Sequence, residues 1–430
     1  MGSEDRDVVG ACPVDCPDTC SWRVTVRDGE PVRLRATTDH PFTAGQLCVK
    51  LNGYLRHRLH PDRLLYPLRR TGPKGSGEFE RISWDDALAE IADRWRDILD
   101  RRGGSAIWPY WSTGTLGQVQ GYNVGARLWN VLNTAQHLST ICTRAGVVAT
   151  VEMLGRAGGH DPERISDASA VVLWGTNPPV SGHHLWPVVE RARAKGAPLV
   201  VIDPVRTLAA QRADLYLAPR PGTDAALAHA VANALICSGL HDGDWVAQHT
   251  NGFEDYARFV AAWTTERAAA ETGLDVGEIQ ALIDVIATHR PTALRIGVGL
   301  QRHAGGGSAV QALTALGLIT GDLRHPGGGP LYVTTGMFPW NEAAVQRPDL
   351  RTVAGPQLAS TRLGTHLAER GPDGPLVEAL WVMNANPAAS NPDQRAVRAG
   401  LGREDLFTVV ALVLLPALFG TTAAGTSGSM

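Results

Sequence analysis

Four of the six cysteines in this 430-residue chain belong to one constellation. Cys12, Cys16 and Cys20 stand in C-x3-C-P-D-T-C, and Cys48 follows after 27 further residues in L-C-V-K. Thiolates at such spacing bind metal, and they force the amino-terminal segment to close on itself. An iron–sulfur cube takes four cysteine ligands, and a compact loop supplying three with a distant fourth is a usual way to enclose it. Zinc also accepts four cysteines, but its sites mostly pair two short knuckles, whereas Cys48 stands alone on its side. A disulfide needs an oxidising compartment, and residues 1–10, M-G-S-E-D-R-D-V-V-G, have neither an apolar signal core nor a twin arginine. The spacing favours the cluster over both alternatives.

The rest of the composition sets wide bounds. The chain is 44% hydrophobic and 19% charged, with a formal net charge of −3, and is long enough for about three domains. That balance gives no global attraction to nucleic acid or anionic membranes. Arg56, Arg58, Arg63, Arg69 and Arg70 make a local basic run, which reads as a solvated face. The longest apolar stretch, Leu406 to Gly420, contains Pro416 and falls short of the roughly 18 residues of a spanning helix, so it reads as a buried strand. The expectation is a soluble, cytoplasmic protein without a membrane span.

Periodicity and turn residues give the organisation. Trp22 to Val26 and Val32 to Leu34 read as strands joined through Asp28-Gly29, a dipeptide that accepts the positive φ of tight hairpins. Ser83 caps a helix with Asp86 at the capping-box position and Trp84, Ala87, Leu88, Ile91, Trp95, Ile98 and Leu99 on one face. A strand at Ala106 to Trp111, a loop Ser112 to Gly117 and a helix through Leu132 follow. Strands at Ala170 to Gly175, Leu199 to Asp203 and Leu215 to Ala218 alternate with helices at Pro187 to Lys195 and Thr223 to Ser238. Two more helices, near Asp244 to Thr250 and Val276 to His289, lead to a strand Ala293 to Leu300. An apolar helix ends at Ile319, and Gly321 to Ser360, rich in Gly and Pro, reads as a crossover or surface loop. This alternation predicts an α/β protein with parallel sheets covered on both faces.

One internal echo stands out. Val171 to Pro179 and Ala379 to Ala388 are both apolar strands that run into x-x-Asn-Pro. Ligands of open α/β sheets sit beyond the carboxyl ends of strands, so two such turns suggest two similar domains, each holding a similar ligand. Asn-Pro also starts ordinary turns, and either copy alone carries little.

Taken together, several short motifs resemble the molybdopterin oxidoreductases of the dimethyl sulfoxide reductase type. They are the cysteine constellation with Lys50, Leu59 to Leu68, Ile82-Ser83-Trp84-Asp85, Trp174 to Pro178, Arg220 to Asp224 and Asn384-Ala385-Asn386-Pro387. The resemblance runs from Cys12 to about Val410. It implies a small N-terminal Fe–S domain (residues 1–70) followed by two related α/β domains with mostly parallel sheets. One is formed by residues 71–145 together with 325–410, the other by 146–324, with an atypical tail at 411–430. It also implies a [4Fe–4S] cluster and a molybdenum or tungsten ion held by two molybdopterin guanine dinucleotides. The activity implied is oxygen-atom, sulfur or hydride transfer at the metal, with a small-molecule substrate and an electron-carrier protein or subunit as partner.

Residue roles follow from the same resemblance. Lys50 lies between cluster and pterin, or else is a surface lysine. Gly175, Thr176, Asn177 and Pro178, with Asp203, meet a guanosine, although Asp203 could equally cap a turn. Gly222, Thr223 and Asp224 precede a helix whose terminus favours phosphate, and Thr223 could simply cap it. Gln301, Arg302 and His303 contact pterin, and His303 either moves protons or is structural. Asn384 and Asn386 serve the second dinucleotide. Cys142, in H-L-S-T-I-C-T-R-A-G, is the expected ligand of Mo or W, since soft thiolate suits a metal held by dithiolenes. The alternatives are an inert core thiol or Ser139 as ligand. Arg144 is placed near substrate, and Cys237 in the core.

Beyond Val410 the likeness stops. The ending A-L-V-L-L-P-A-L-F-G-T-T-A-A-G-T-S-G-S-M is small and rich in Gly, Thr, Ser and Ala where relatives would continue into a domain that clasps both dinucleotides. The expectation is a truncated chain, either a catalytically incompetent Fe–S remnant or one that needs a separate chain carrying that domain.

Overall fold

The computed structural model describes residues 5–411, apart from 15, 52, 59, 113–118, 120–122 and 338–339. Leu59, most of the expected Ser112–Gly117 loop and the tail from 412 onward therefore lie outside the described residues.

The amino-terminal unit is a three-stranded antiparallel sheet, Arg6–Ala11, Ser21–Arg27 and Glu30–Ala36. Asp28 and Gly29 turn the second strand into the third at φ 51° and 83°, which is why a dipeptide tolerant of positive φ stands there. The first strand went unread in the sequence because its residues are nearly all exposed and carry no inward face.

The largest core surrounds a five-stranded, all-parallel sheet. Its centre is Ala170–Trp174, flanked by Leu199–Ile202 and then Leu215–Leu217 on one side, and by Thr292–Ile296 and then Gly329–Leu331 on the other. Val171, Leu173, Leu199 and Val201 pack on one face with Val188 and Val189 of the helix Leu185–Ala194. Val172, Trp174, Val200 and Ile202 pack on the other with Leu227 and Val231 of the helix Asp224–Cys237 and Leu313 of the helix Gly306–Ile319. Helices on both faces explain why these strands read as unbroken apolar runs. The chain steps outward from the central strand to one edge, then returns to its other side, so the topological switch lies between Ala170–Trp174 and Thr292–Ile296.

A second, three-stranded parallel sheet joins distant parts of the chain, with Ala379–Met383 between Ile107–Trp111 and Phe407–Ala411. Its core centres on Trp108, Tyr110, Leu363, Leu380 and Val397. The helix Trp84–Arg102 packs beside it through Trp95 and Ile98, and Ser83 caps that helix by accepting from Asp86 N–H at 3.0 Å. Both copies of the strand-to-Asn-Pro echo are thus the middle strands of separate parallel sheets.

Trp84 and Leu88, expected on the buried face of the helix that Ser83 opens, are 64% and 59% exposed, because the core meets that helix only from Ile91 onward. Cys237 is exposed, its sulfur bonded at 3.3 Å to Asn233 Oδ1, since it ends its helix past the last core turn. Four helices, not two, fill residues 243–288; Phe253–Val260 and Thr265–Thr272, of 8 residues each, are short enough to read as loop between the two expected helices. The expected strand Ala293 to Leu300 ends at Ile296 and continues as a 3-10 turn, Val298–Gln301. The stretch Gly321 to Ser360 is not wholly a surface loop: it holds the edge strand Gly329–Leu331 and the fully buried Tyr332. No helix among the described residues is long and apolar enough to cross a membrane.

Candidate cluster and cofactor site

The cysteine loop is pinned where Cys12 N–H donates to Cys20 O at 2.8 Å, which brings the first and third cysteines together at the mouth of the small sheet. Burial pushes the Cys16 thiol up to about 11 and Cys20 up to about 12; Cys12 is also raised, mainly by burial. Each of these three feels the charge of Cys48, while Lys50 acts in the opposite sense on Cys12 and Cys16. Three thiols with raised affinities for protons, Cys12, Cys16 and Cys20, need a cation to exist as thiolates beside Cys48, which is the chemistry an iron core supplies. Among the described residues no three His, Cys, Asp or Glu side chains converge on a single-ion site. A cube needs no such convergence, because each thiolate binds a different iron.

Asp18, inside the cysteine loop, reaches into the neighbouring α/β unit. Its Oδ2 accepts from His184 N–H at 3.0 Å and lies 2.7 Å from His184 Nδ1, both side chains almost fully buried. His184 Nε2 donates to Gln46 O at 3.1 Å. Both ring nitrogens therefore face acceptors, and the Asp18 bond raises the His184 pKa against the opposing effect of burial. Burial works to raise Asp18, but the two bonds from His184 outweigh it and hold the carboxyl below its usual range.

The second part of the site lies at the topological switch. Gly175 to Pro178 leave the central strand, and the turn holding Gln301, Arg302 and His303 leaves its neighbour. The two are in backbone contact: a Cβ on Gly297 would stand 1.8 Å from Gly175 O. Asn177 Oδ1 accepts from Ala209 N–H at 3.2 Å, which ties this turn to the loop after Asp203. Asp203 itself closes a turn, with Oδ1 accepting from Val205 N–H at 2.9 Å. Gly222, at φ 89°, lies against the His303 ring, and a Cβ there would be 3.5 Å from Nδ1. The Asp224 carboxylate faces inward and accepts from Trp174 Nε1 at 2.8 Å; burial raises its pKa. Thr223 does not cap its helix; its hydroxyl donates to Arg220 O at 2.7 Å. Lys50 and Arg144 are exposed, the latter as the first residue of the helix Arg144–Leu154.

Cys142 sits where the two sheets meet. From the five-stranded side, Gln301 Nε2 donates to Cys142 O, Gln301 Oε1 accepts from Gly146 N–H at 2.6 Å, and Arg302 donates to Ile141 O. From the three-stranded side, Thr140 N–H donates to Ser360 Oγ at 2.9 Å. Asn391 Nδ2 donates to Ser360 O at 2.7 Å, and Tyr110 Oη donates to Asn391 Oδ1 at 2.7 Å. Cys142 is half-buried rather than sealed in a core. The turn after Ala379–Met383 carries Asn384 in the left-handed region at φ 52°, then Asn386 ahead of the short helix Pro387–Ser390. Sequence reading brought forward neither Tyr110, Ser360 and Asn391 nor Asp18 and His184. Asp18 was visible inside the cysteine motif, but the others carry no local signal.

Comparison with known proteins accords with this geometry. The molybdopterin oxidoreductase family matches residues 63–414, and the molybdopterin oxidoreductase Fe4S4 domain matches residues 6–55. The chain is 34% identical to the probable oxidoreductase YoaE of Bacillus subtilis over 93% of its own length and 58% of the relative's. It is 30% identical to the dimethyl sulfoxide reductase DmsA of Escherichia coli over 81% of this chain and 50% of DmsA. The structure of acetylene hydratase from Pelobacter acetylenicus shares the fold at a TM-score of 0.80 and 24% identity, covering 95% of this chain and 61% of that one. This chain thus spans about half the length of the curated relatives it matches. With a cysteine unit at its amino end and two parallel sheets meeting at Cys142, the chain belongs to the molybdopterin oxidoreductase family and carries that family's Fe4S4 domain.

Proposed function

We propose that this chain is the cluster-bearing and pterin-binding part of a molybdenum- or tungsten-dependent oxidoreductase that acts on a small molecule and exchanges electrons with a carrier protein or subunit. The observation that carries this reading is the position of the Cys142 segment, tied to the turn beyond one sheet through Gln301 and Arg302 and to Ser360 beside the other through Thr140. When bound, the metal and its two pterin dinucleotides supply the two-electron exchange with oxygen-atom, sulfur or hydride transfer.

The chain's own residues hold and orient. Cys12, Cys16, Cys20 and Cys48 ligate the cluster, and Lys50 lies on its pterin side. Gly175, Thr176, Asn177, Pro178 and Asp203 line one dinucleotide at the switch crevice with Gly222, Thr223, Gln301 and Arg302, while Asp224 holds Trp174 beneath them. Asn384 and Asn386 line the other. Cys142 offers its sulfur to the metal, Arg144 faces substrate, and His303 moves a proton. YoaE and DmsA carry oxidoreductase names, which supports the reaction class.

The test is metal, pterin and X-ray absorption analysis of anaerobically purified protein. Molybdenum or tungsten should be present with a sulfur ligand beyond the dithiolenes, and Cys142→Ala should remove that sulfur while leaving the visible Fe–S spectrum intact. An unchanged metal shell in the variant would mean that Ser139 or an external ligand occupies the position.

A further inference from the structure

Of the contacts that the proposed function leaves unused, the pair Asp18 and His184 is the most constrained. The two residues are 166 positions apart and belong to different units, yet both side chains are almost fully buried. His184 opens the helix Leu185–Ala194, and that helix has no cap from its own sequence. Asp18 fills that role from the cysteine loop, its Oδ2 taking the His184 backbone N–H at 3.0 Å at the positive end of the helix. The same oxygen holds Nδ1 of the ring at 2.7 Å, and Gln46 O holds Nε2 at 3.1 Å, two residues before Cys48. The ring is thereby clamped between the segments that bear Cys16 with Cys20 and Cys48. Its Nδ1 also lies 3.7 Å from Cys20 Sγ, so the hydrogen held by Asp18 Oδ2 has the sulfur as a second, weaker acceptor. The Phe42 ring lies 6.5 Å away centroid to centroid, tilted by 54° to it.

Hydrogen bonds to cysteine sulfur and exclusion of solvent are two of the means by which a protein sets a cluster's reduction potential. We propose that His184 is a positioning residue for the cluster: clamped by Asp18 and Gln46, it shares its Nδ1–H between Asp18 Oδ2 and the Cys20 sulfur and raises the cluster's reduction potential, so that the α/β unit and the cysteine loop tune it together. The inference rests on the cluster assignment and adds a residue of the second unit to its control. It also explains why a polar, charge-capable pair is buried at this seam, where an apolar pair would pack with less desolvation cost.

The experiment compares the full chain with His184→Phe, His184→Asn and Asp18→Asn, each reconstituted anaerobically with iron and sulfide and titrated by electron paramagnetic resonance. His184→Phe keeps a ring of similar size but has no N–H, and should lower the reduced-to-oxidised ratio at fixed potential about tenfold, equivalent to ~59 mV for one electron. His184→Asn places an amide N–H near the Nδ1 position and should recover at least half of that shift. Asp18→Asn, which releases the ring, should displace the ratio as well. Ratios within twofold of the parent in iron-loaded variants would overturn the proposal. So would loss of iron from all three, because the pair would then be scaffold alone. A parent chain that takes up no iron would instead sink the cluster assignment, which separates the two failures.

Discussion

The side-chain amide of Gln301 accepts the Gly146 N–H at 2.6 Å and so caps, from another part of the chain, the helix that follows Cys142. Thr143 sits at the N-cap position of that helix but makes no side-chain cap bond, and its first-turn N–H groups would otherwise go without an intrahelical partner. The other end of the same amide holds Cys142 O. One glutamine therefore fixes both the helix terminus and the carbonyl of the expected metal ligand.

Removing that amide should loosen the Cys142 segment without unfolding the protein. Gln301→Ala is expected to cost about 1–3 kcal/mol, the usual penalty for leaving buried polar groups unpaired. Metal content should fall more than iron content, because the cluster unit does not use this bond. Denaturant midpoints and elemental analysis on the same preparation check both parts.

About four iron atoms per chain are expected after anaerobic purification. Cys16→Ala should bleach most of the visible absorbance, since Cys12 and Cys20, raised by burial, are left with an incomplete core to stabilise their charge. Iron at the parent level in that variant would contradict the assignment of Cys16.

Close backbone packing at the switch makes Gly297 irreplaceable by even one methyl. Its φ of −85° is open to any residue, so the constraint is steric: a Cβ would overlap Gly175 O and C at 1.8 and 2.4 Å. Gly297→Ala should destabilise by about 1–3 kcal/mol through overpacking and displace the Gly175–Pro178 turn. Gly277→Ala, where a Cβ meets nothing within 4 Å, should be neutral or stabilising and serves as the control in urea denaturation.

Acid should weaken the fold between about pH 6.5 and 4. Burial pulls His160 and His229 down to about 4 from an unfolded value near 6.5. His160 Nδ1 lies 2.7 Å from Gly329 O, while its Nε2 has no acceptor among the described residues, so charging the ring would bury an unmatched N–H. Across this window the unfolded chain binds more protons than the folded one. The stabilisation is therefore complete above about pH 6.5 and lost as pH falls through 4. His184, with its raised value, works in the opposite sense. Urea midpoints should be lower at pH 5 than at pH 7, and His229→Phe, which keeps the ring among Tyr256, Phe259 and Trp263, should flatten that slope.

What the sequence determined by itself is whatever depends on short spacing. The cysteine constellation, the Ser83 cap, the Asp28-Gly29 hairpin and the two strand-to-Asn-Pro turns are local patterns, each set by a few neighbouring residues whose geometry is fixed by backbone sterics and hydrogen bonding. Alternation of apolar strands and helices was also readable, because a strand buried on both faces leaves an unbroken apolar run. Tertiary structure decided which of those parts meet. That Cys142 lies in a seam held by Gln301 and Ser360, that Asp18 caps a helix 166 residues away, that Trp84 and Leu88 face solvent and that Cys237 is exposed all depend on how separate elements dock. Such contacts follow from packing shape and from matching buried donors with acceptors over long separations, and neither leaves a periodic mark along the chain.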